Sequence, residues 1–523
     1  MKKNGSSGET GVYGTGMKQG GNQRIRRVGG LAAVVIAAEL VLWWGIRDTG
    51  MTITVDSLWY LSTAVHLTET FEFRLSTSMP FVSADRFHLV YWPPAFPFLL
   101  ALVMKPGLSA LAAARFITHL FLAATITLVY ANLRIRGAGE SIALAFSACY
   151  GWSYGVLICH AVVWSEQLFM LFMFGLFLSV HLAADRMNTR WIWTAAMLAG
   201  AAAMTRYVGV VLLLPMLYSD WSMHRGKDRW YWLSLIRAGL TVVPLGLWLA
   251  RNHRLSGFMF GVRDSAAAAK VGNTMLESLE TMYRTFLPIK YHTPVNAWIC
   301  PVIALALIAT LVVSIVRKPL RACRLPGLLA STAVAYLAVI YLSKVRYEMD
   351  PVHSRFLLPL YGMLIIGAGT RFVVLPAGGC WRRLGIGAGW SLAAMGVFST
   401  LNSPLPPKPI YYTTTAELAG SDLLTSARDL APNDPLLSNR PDYVTMGLSR
   451  PVTGFPLGEE SARFIQLLNS GGFDGYCVVV FQESMSFDHL VSGRVYREWA
   501  REQPRVRKIY EGPGGWLYHI GSR

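Results

Sequence analysis

Long apolar runs separated by short basic clusters dominate this chain, and that rhythm leaves few folds open to it. Of its 523 residues, 53% are hydrophobic and only 15% charged. A soluble domain carries about a quarter charged residues, so most of this chain belongs in lipid. Within a bilayer every backbone polar group must be satisfied by the protein itself, and helices do this segment by segment. The expected fold is therefore an all-α polytopic membrane bundle. The net charge of +18 does not indicate nucleic acid, because the basic residues fall between apolar runs. There they match cytoplasmic loops facing anionic headgroups.

Parity along the chain gives a topology. Residues 1–28 are Gly-, Ser- and Lys-rich and read as a disordered cytoplasmic N-terminus. Lys18, Arg24, Arg26 and Arg27 then precede the run 29–46, an uncleaved anchor whose basic flank keeps the N-terminus inside. Residues 91–104 open with Trp92-Pro93-Pro94 and fall short of the roughly 17–25 residues that a span needs. Were this run to cross, the next one, 111–133, would carry Arg134 and Arg136 outside. Residues 47–109 are accordingly one external loop containing a membrane-hugging helix.

The remaining runs are 141–163, 165–184, a hairpin over 191–218 broken at Thr205-Arg206, 233–250, 296–316, 326–343, 356–375 and 384–401. The total is about eleven crossings, an odd number, which makes the C-terminus extracytoplasmic. The membrane domain occupies 29–401. Past it, Asn402-Ser403-Pro404-Leu405-Pro406-Pro407-Lys408-Pro409 is a linker, and strand-like and helix-like segments alternate to the end. Residues 402–523 read as a small extracytoplasmic α/β domain. The cysteines (Cys149, Cys159, Cys300, Cys323, Cys380 and Cys477) show no CxxC or metal-ligand spacing and read as packing residues. Cys477 stands alone in the C-terminal region.

Polar residues accumulate on the external side. Loop one carries Asp48, Asp56, His66, Glu69, Glu72, Arg74, Asp85, Arg86 and His88. A second loop opens with Arg251-Asn252, and a short third loop, 344–355, holds Arg346, His353 and Arg355. Basic groups on the side that the positive-inside rule disfavours point to an anionic ligand at headgroup level. Transfer from a lipid phosphate fits: Arg, Lys or His would hold the leaving phosphate, and a carboxylate would take the acceptor's proton. The helix beginning at Trp92-Pro93-Pro94 would guide an isoprenoid tail. Asp56, just past the first span, is the leading base candidate, because a carboxylate near lipid is costly unless paired or working.

Plainer roles stand beside these. Asp56 and Glu166 equally suit helix caps. Asp48 suits the interface, Arg206 a snorkelling position, and Glu39 a pair inside the bundle. Tyr60, Trp59, Tyr91 and Trp92 suit an aromatic belt.

Several short segments, in their order along the chain, resemble the GT-C superfamily of integral membrane glycosyltransferases. The resemblance is greatest to bacterial relatives of the protein O-mannosyltransferases and the lipid A aminoarabinose transferase. The segments are Asp56-Ser57-x-x-Tyr60, Pro93-Pro94-Ala95-Phe96-Pro97, Ser165-Glu166, Thr205-Arg206-Tyr207-Val208-Gly209, Arg251-Asn252 and Arg355-Phe356-x-x-Pro359. The resemblance implies a polyprenyl-phosphate-linked sugar as donor, transfer on the external face of a bacterial inner membrane, and Asp56 as catalytic base. Where many members carry a second acid this chain has Ser57, and Asp85 is the substitute partner within the loop.

Arg355, Arg346, Arg251, His353, Arg86 and His88 are the expected donor-phosphate ligands, with Glu166, Tyr60 and Arg206 in support. Without an Asp-x-Asp pair no cofactor is required and a divalent metal is not indicated. The acceptor hydroxyl belongs to a lipid, a polysaccharide or a protein. The nearest rival is an O-antigen-type ligase or polymerase using lipid diphosphate-linked glycan, whose working loop comes late in the chain rather than early. A lipid or sugar transporter or flippase would bind at the midplane between repeats, and no internal repeat is found.

Overall fold

The computed structural model describes residues 16–75, 77–78, 88–224, 230–260, 324–346, 354–373, 380–402, 413–414, 418, 420–448, 450, 452–454, 466, 475–481, 493–512 and 515–521. The protein is a multi-pass membrane protein. Among the described residues five helical stretches are long and apolar enough to cross a bilayer: Arg27–Ile46, Ala110–Ile135, Glu166–Arg186, Tyr231–Ser256 and Arg382–Leu401. They belong to helices α1 (Gly16–Ile46), α4 (Ala110–Ile135), α7 (Glu166–Arg186), α10 (Trp230–Ser256) and α13 (Cys380–Asn402).

A sixth span forms if α5 (Glu140–Gly151) and α6 (Tyr154–Ala161), bent by 51°, are taken together. Ser153 makes that bend: its side chain accepts from the Val156 amide and caps a new helix in mid-run. Gly396 of α13 lets another backbone pack there, since a Cβ would collide with the Trp152 carbonyl oxygen and lie 3.0 Å from the Ser153 Cα. The expected count of about eleven crossings is not reached among the described residues, and the run 296–316 lies outside them.

Two departures from an ideal span shape the bundle. The Pro-Pro segment leads into α3 (Ala95–Met104), which at ten residues is about 15 Å long and cannot cross. The run 191–218 breaks where expected. Helix α8 (Arg190–Ala203) ends, Arg206 adopts an extended conformation (φ −146°, ψ 136°), and a 3-10 turn over Tyr207–Leu212 leads into α9 (Leu213–His224). Gly209 folds this turn back onto α8, where an added Cβ would lie 2.5 Å from the Ala202 carbonyl carbon and oxygen.

Those are backbone atoms that no rotamer change can move. Gly209→Ala should therefore cost about 1–3 kcal/mol, whereas Gly246→Ala in α10, with nothing within 4 Å of its Cβ, should cost little. A thermal-unfolding comparison of the two purified variants checks this. Equal melting temperatures would show that the turn yields.

Acidic side chains inside the bundle are paired. Glu39 of α1 meets His119 Nδ1 of α4 at 2.6 Å, the in-bundle pairing expected of it. Asp220 of α9 joins Arg237 of α10 at 2.5 Å and accepts from Ser234 at the same distance. An acid enclosed among apolar helices needs such partners.

The C-terminal region forms a sheet with helices, as alternating strand and helix signals led us to expect. Its strands are β4 (Leu436–Ser438), β5 (Val452–Gly454), β6 (Cys477–Phe481), β7 (Val506–Gly512) and β8 (Gly515–Ile520). The sheet also takes in β2 (Thr77–Ser78) from loop one, in the order β2-β5-β4-β6-β8-β7. A separate ribbon pairs β1 (Thr52–Ile53) antiparallel with β3 (Thr413–Thr414). Loop one is thereby tied to the C-terminal region on both sides of α2 (Val55–Thr70).

Candidate active site

The site begins with how α2 starts. Thr54 is the N-cap and Ser57 completes a capping box: the Ser57 amide donates to Thr54 Oγ1 at 3.4 Å and the Thr54 amide to Ser57 Oγ at 3.0 Å. The cap is thus made without Asp56, which frees the carboxylate. Ser57 also donates to the Val163 carbonyl at 2.9 Å, so the position at which the resembling transferases carry a second acid is here taken up by a buried packing contact. Trp164 Nε1 donates to Thr54 Oγ1 at 3.0 Å, and Tyr60 Oη lies 3.1 Å from Ser165 Oγ. Together these bonds fasten the first turns of α2 to residues 163–165, directly before α7.

That fastening brings Asp56 to the N-terminus of α7, and a cluster of alternating charge results. Asp56 Oδ2 accepts from Arg355 Nη1 at 2.7 Å. Arg355 Nε lies 3.9 Å from Glu166 Oε1, and that same oxygen pairs with Arg206 Nη1. Two acids and two arginines arrive from four places: α2, α7, the break after α8, and the first turn of α12 (Ser354–Val373). Arg355 also lies over the rings of Trp164 and Phe356, 5.0 and 4.8 Å from their centroids. A flat, delocalised guanidinium tolerates such a mixed setting better than an ammonium does.

Exposure separates the two acids. The Glu166 side chain is 3% exposed and that of Asp56 22%. Glu166 is therefore an internal anchor for both guanidinium groups, while Asp56 stands at the opening. One Asp56 oxygen is oriented by Arg355, and Oδ1 makes no hydrogen bond among the described residues. A carboxylate held on one side and open on the other is arranged to accept a proton from an incoming hydroxyl. Tyr60 is buried against Trp92 and Phe96. Burial, then the Asp56 and Glu166 carboxylates, push its phenol far up, so it stays neutral and structural.

Of the expected site residues, Asp56, Glu166, Arg206 and Arg355 come together, and Tyr60 supports them. The snorkelling alternative for Arg206 gives way to its pairing with Glu166. Arg251 is engaged elsewhere: its guanidinium donates to the carbonyls of Leu89 at 3.0 Å and Phe73 at 3.2 Å, and to Asn252 Oδ1 at 3.0 Å. Asn252, buried and absent from the expected set, donates to the Val90 carbonyl at 3.0 Å. This pair holds Phe73 and the segment Leu89-Val90 together within loop one. His88 bridges to Arg74 within the same loop. Arg346 ends α11 (Arg324–Arg346), and its side chain lies outside the described residues, as do Asp85, Arg86 and His353.

The sequence reading also missed Thr54, Trp164 and Ser165, whose part is to bolt two loops together. Only Ser165, paired in sequence with Glu166, carried any signal.

A cavity of about 720 Å³ lies away from this cluster. It is lined by Thr68, Lys105, Ser109, Leu418 and Arg428 among others, where α2 and α3 approach the C-terminal region. Thr68 is about 18 Å along α2 from Asp56 at 1.5 Å per residue. The charge cluster, which gathers the groups suited to acid–base chemistry and phosphate binding, is the better guide to the site. Among the described residues, a group suited to a metal is found in the C-terminal sheet, at Asp434, Cys477 and His519.

Comparison with known proteins agrees with the fold. The chain is similar to the crystal structure of ArnT from Cupriavidus metallidurans bound to undecaprenyl phosphate, with TM-score 0.61 and 13% identity, covering 94% of this chain and 98% of that one. It is also similar to the arabinofuranosyltransferase AftD from Mycobacteria, with TM-score 0.50 and 12% identity, covering 94% of this chain and 41% of that one. By sequence the chain matches no family model and no curated protein. At these identities the likeness is one of fold, and the fold is that of the GT-C glycosyltransferases.

Proposed function

We propose that this protein is a membrane glycosyltransferase that moves one monosaccharide from a polyprenyl-phosphate donor to an acceptor hydroxyl at the extracytoplasmic face of a bacterial inner membrane. The observation that carries this reading is the 2.7 Å bond between Asp56 and Arg355, residues 299 apart in sequence. It joins the acid of loop one to the arginine that opens α12, at the buried support of Glu166. The undecaprenyl phosphate bound by the similar ArnT structure supports a polyprenyl-phosphate lipid as the ligand class.

In this reading Asp56 removes the proton of the acceptor hydroxyl as its oxygen attacks the anomeric carbon. The bond from that carbon to the phosphate oxygen breaks, and the electron pair leaves with the polyprenyl phosphate. Displacement from the opposite face inverts the anomeric centre. Arg355, with Arg206 behind it, meets the negative charge that grows on the leaving phosphate. Glu166 keeps both guanidinium groups in place. The positive-inside pattern supports an N-terminus in the cytoplasm and this end of the bundle outside.

Glycan analysis of a deletion strain tests the reading across envelope lipids, polysaccharides and glycoproteins together. One sugar should disappear from one of these classes, and the intact gene should restore it. Unchanged glycans in all three, in a strain that normally produces the protein, would overturn the assignment.

A further inference from the structure

Three chemically different side chains meet at one end of the C-terminal sheet. Asp434 lies two residues before β4, Cys477 opens β6, and His519 is next to last in β8. Strands β4 and β6 run parallel with Leu436 beside Cys477, and β6 and β8 run antiparallel with Cys477 directly opposite His519. Residues directly opposite in an antiparallel pair share a face, so register alone makes the thiol and the imidazole neighbours. The Cys477 amide donates to the Pro435 carbonyl at 2.9 Å and draws in the segment before β4. The Cys477 thiol then donates to Asp434 Oδ2 at 3.3 Å.

The ligand atoms of all three residues lie within 4.8 Å of one another. A tetrahedral zinc ion with bonds of about 2.0–2.3 Å holds its ligand atoms roughly 3.3–3.8 Å apart. Closing around an ion therefore requires about an ångström of side-chain movement, with the strands already in place. Cys477 is buried, whereas Asp434 and His519 are half-buried, which leaves a flank open for a fourth ligand. The His519 ring makes no hydrogen bond among the described residues. Cys477 has no second cysteine within 402–523 with which to form a disulfide. The nearby Arg450 is occupied with the main-chain carbonyls of Ala431 and Asp434.

We propose that Asp434, Cys477 and His519 bind one zinc ion, with water or an incoming group as fourth ligand, and that this ion staples β4, β6 and β8 together. Thiolate and imidazole select a borderline-soft cation over magnesium or calcium, which prefer all-oxygen sites. On binding, Cys477 loses its thiol proton to solvent, the Sγ–Zn bond replaces the S–H bond, and no electron changes hands. The site is separate from the Asp56 cluster, so it stands or falls independently of the transferase reading.

Full-length protein in detergent, stripped with a chelator and reloaded, should retain one zinc ion per chain after desalting. Loaded with cobalt(II) instead, it should show thiolate-to-metal charge transfer in the near ultraviolet, and Cys477→Ser should lack that band. His519→Ala should weaken zinc retention by more than the roughly 10–100-fold typical of outer-shell changes. His519→Cys, which exchanges one zinc ligand for another, should keep the stoichiometry, an outcome that damage to the fold would not give. Asp56→Asn should bind zinc as the wild type does. Equal zinc uptake by wild type, Cys477→Ser and His519→Ala, or a cobalt charge-transfer band that survives in Cys477→Ser, would overturn the proposal.

Discussion

Asp56→Asn should transfer sugar about 100-fold more slowly than the wild type, or worse, with expression and folding maintained. The substitution isolates one property. Asparagine keeps the size of the side chain, and its carbonyl oxygen can still accept from Arg355, so the 2.7 Å contact survives. The start of α2 is unaffected, because Thr54 and Ser57 make the cap. What is lost is a carboxylate able to take a proton. Initial rates measured beside a thermal-unfolding curve separate loss of chemistry from loss of fold. Near-normal transfer by a stable Asp56→Asn protein would remove Asp56 from the mechanism and direct attention to Asp85.

Glu166→Gln should lower stability by about 3–5 kcal/mol, the range for breaking a buried ion pair by removing one partner. Glu166 is 2% exposed and faces guanidinium groups from two other elements. Neutralising it leaves Arg206 and Arg355 in a half-apolar setting with, among the described residues, Asp56 as the remaining acid in an ion pair with them. Combining Glu166→Gln with Arg206→Met should recover part of the stability, because removing both charges of a buried pair is less costly than stranding one of them. Activity should not recover with it, since the guanidinium behind Arg355 is gone. Chemical or thermal unfolding of the single and double variants checks the cycle. A Glu166→Gln protein within about 0.5 kcal/mol of wild type would behave like a surface substitution and contradict the anchoring role.

Hydropathy and arginine placement carried the coarse fold. The short Pro-Pro helix, the break at Thr205-Arg206 and the C-terminal sheet all follow from run length, turn residues and alternation. The site was partly readable for the same reason: Asp56, Glu166, Arg206 and Arg355 all sit at ends or breaks of apolar runs, where parity puts them on one side. Which of the many polar groups on that side touch each other was not readable. The contacts depend on long-range fastening by Thr54, Ser57, Tyr60, Trp164 and Ser165, and no local pattern shows which of these residues meet. Arg251 shows the same limit from the other direction. As a basic residue at a span's end it suits phosphate, yet its guanidinium is engaged with the carbonyls of Phe73 and Leu89. The β2 strand contributed by loop one was hidden because two residues carry no periodicity.

Binding of undecaprenyl phosphate to the full-length protein, with and without the Arg355 guanidinium, tests the central claim most directly. Removing it forfeits a charge-assisted contact of about 1.5–3 kcal/mol and leaves Asp56 and Glu166 facing the phosphate. Measured by titration in detergent, Arg355→Ala should bind the lipid about tenfold or more weakly than the wild type. Arg355→Lys should recover only part, because an ammonium cannot make the bidentate contact. Arg355→Ala protein that folds normally and binds undecaprenyl phosphate as tightly as the wild type would contradict the assignment of this cluster as the donor site.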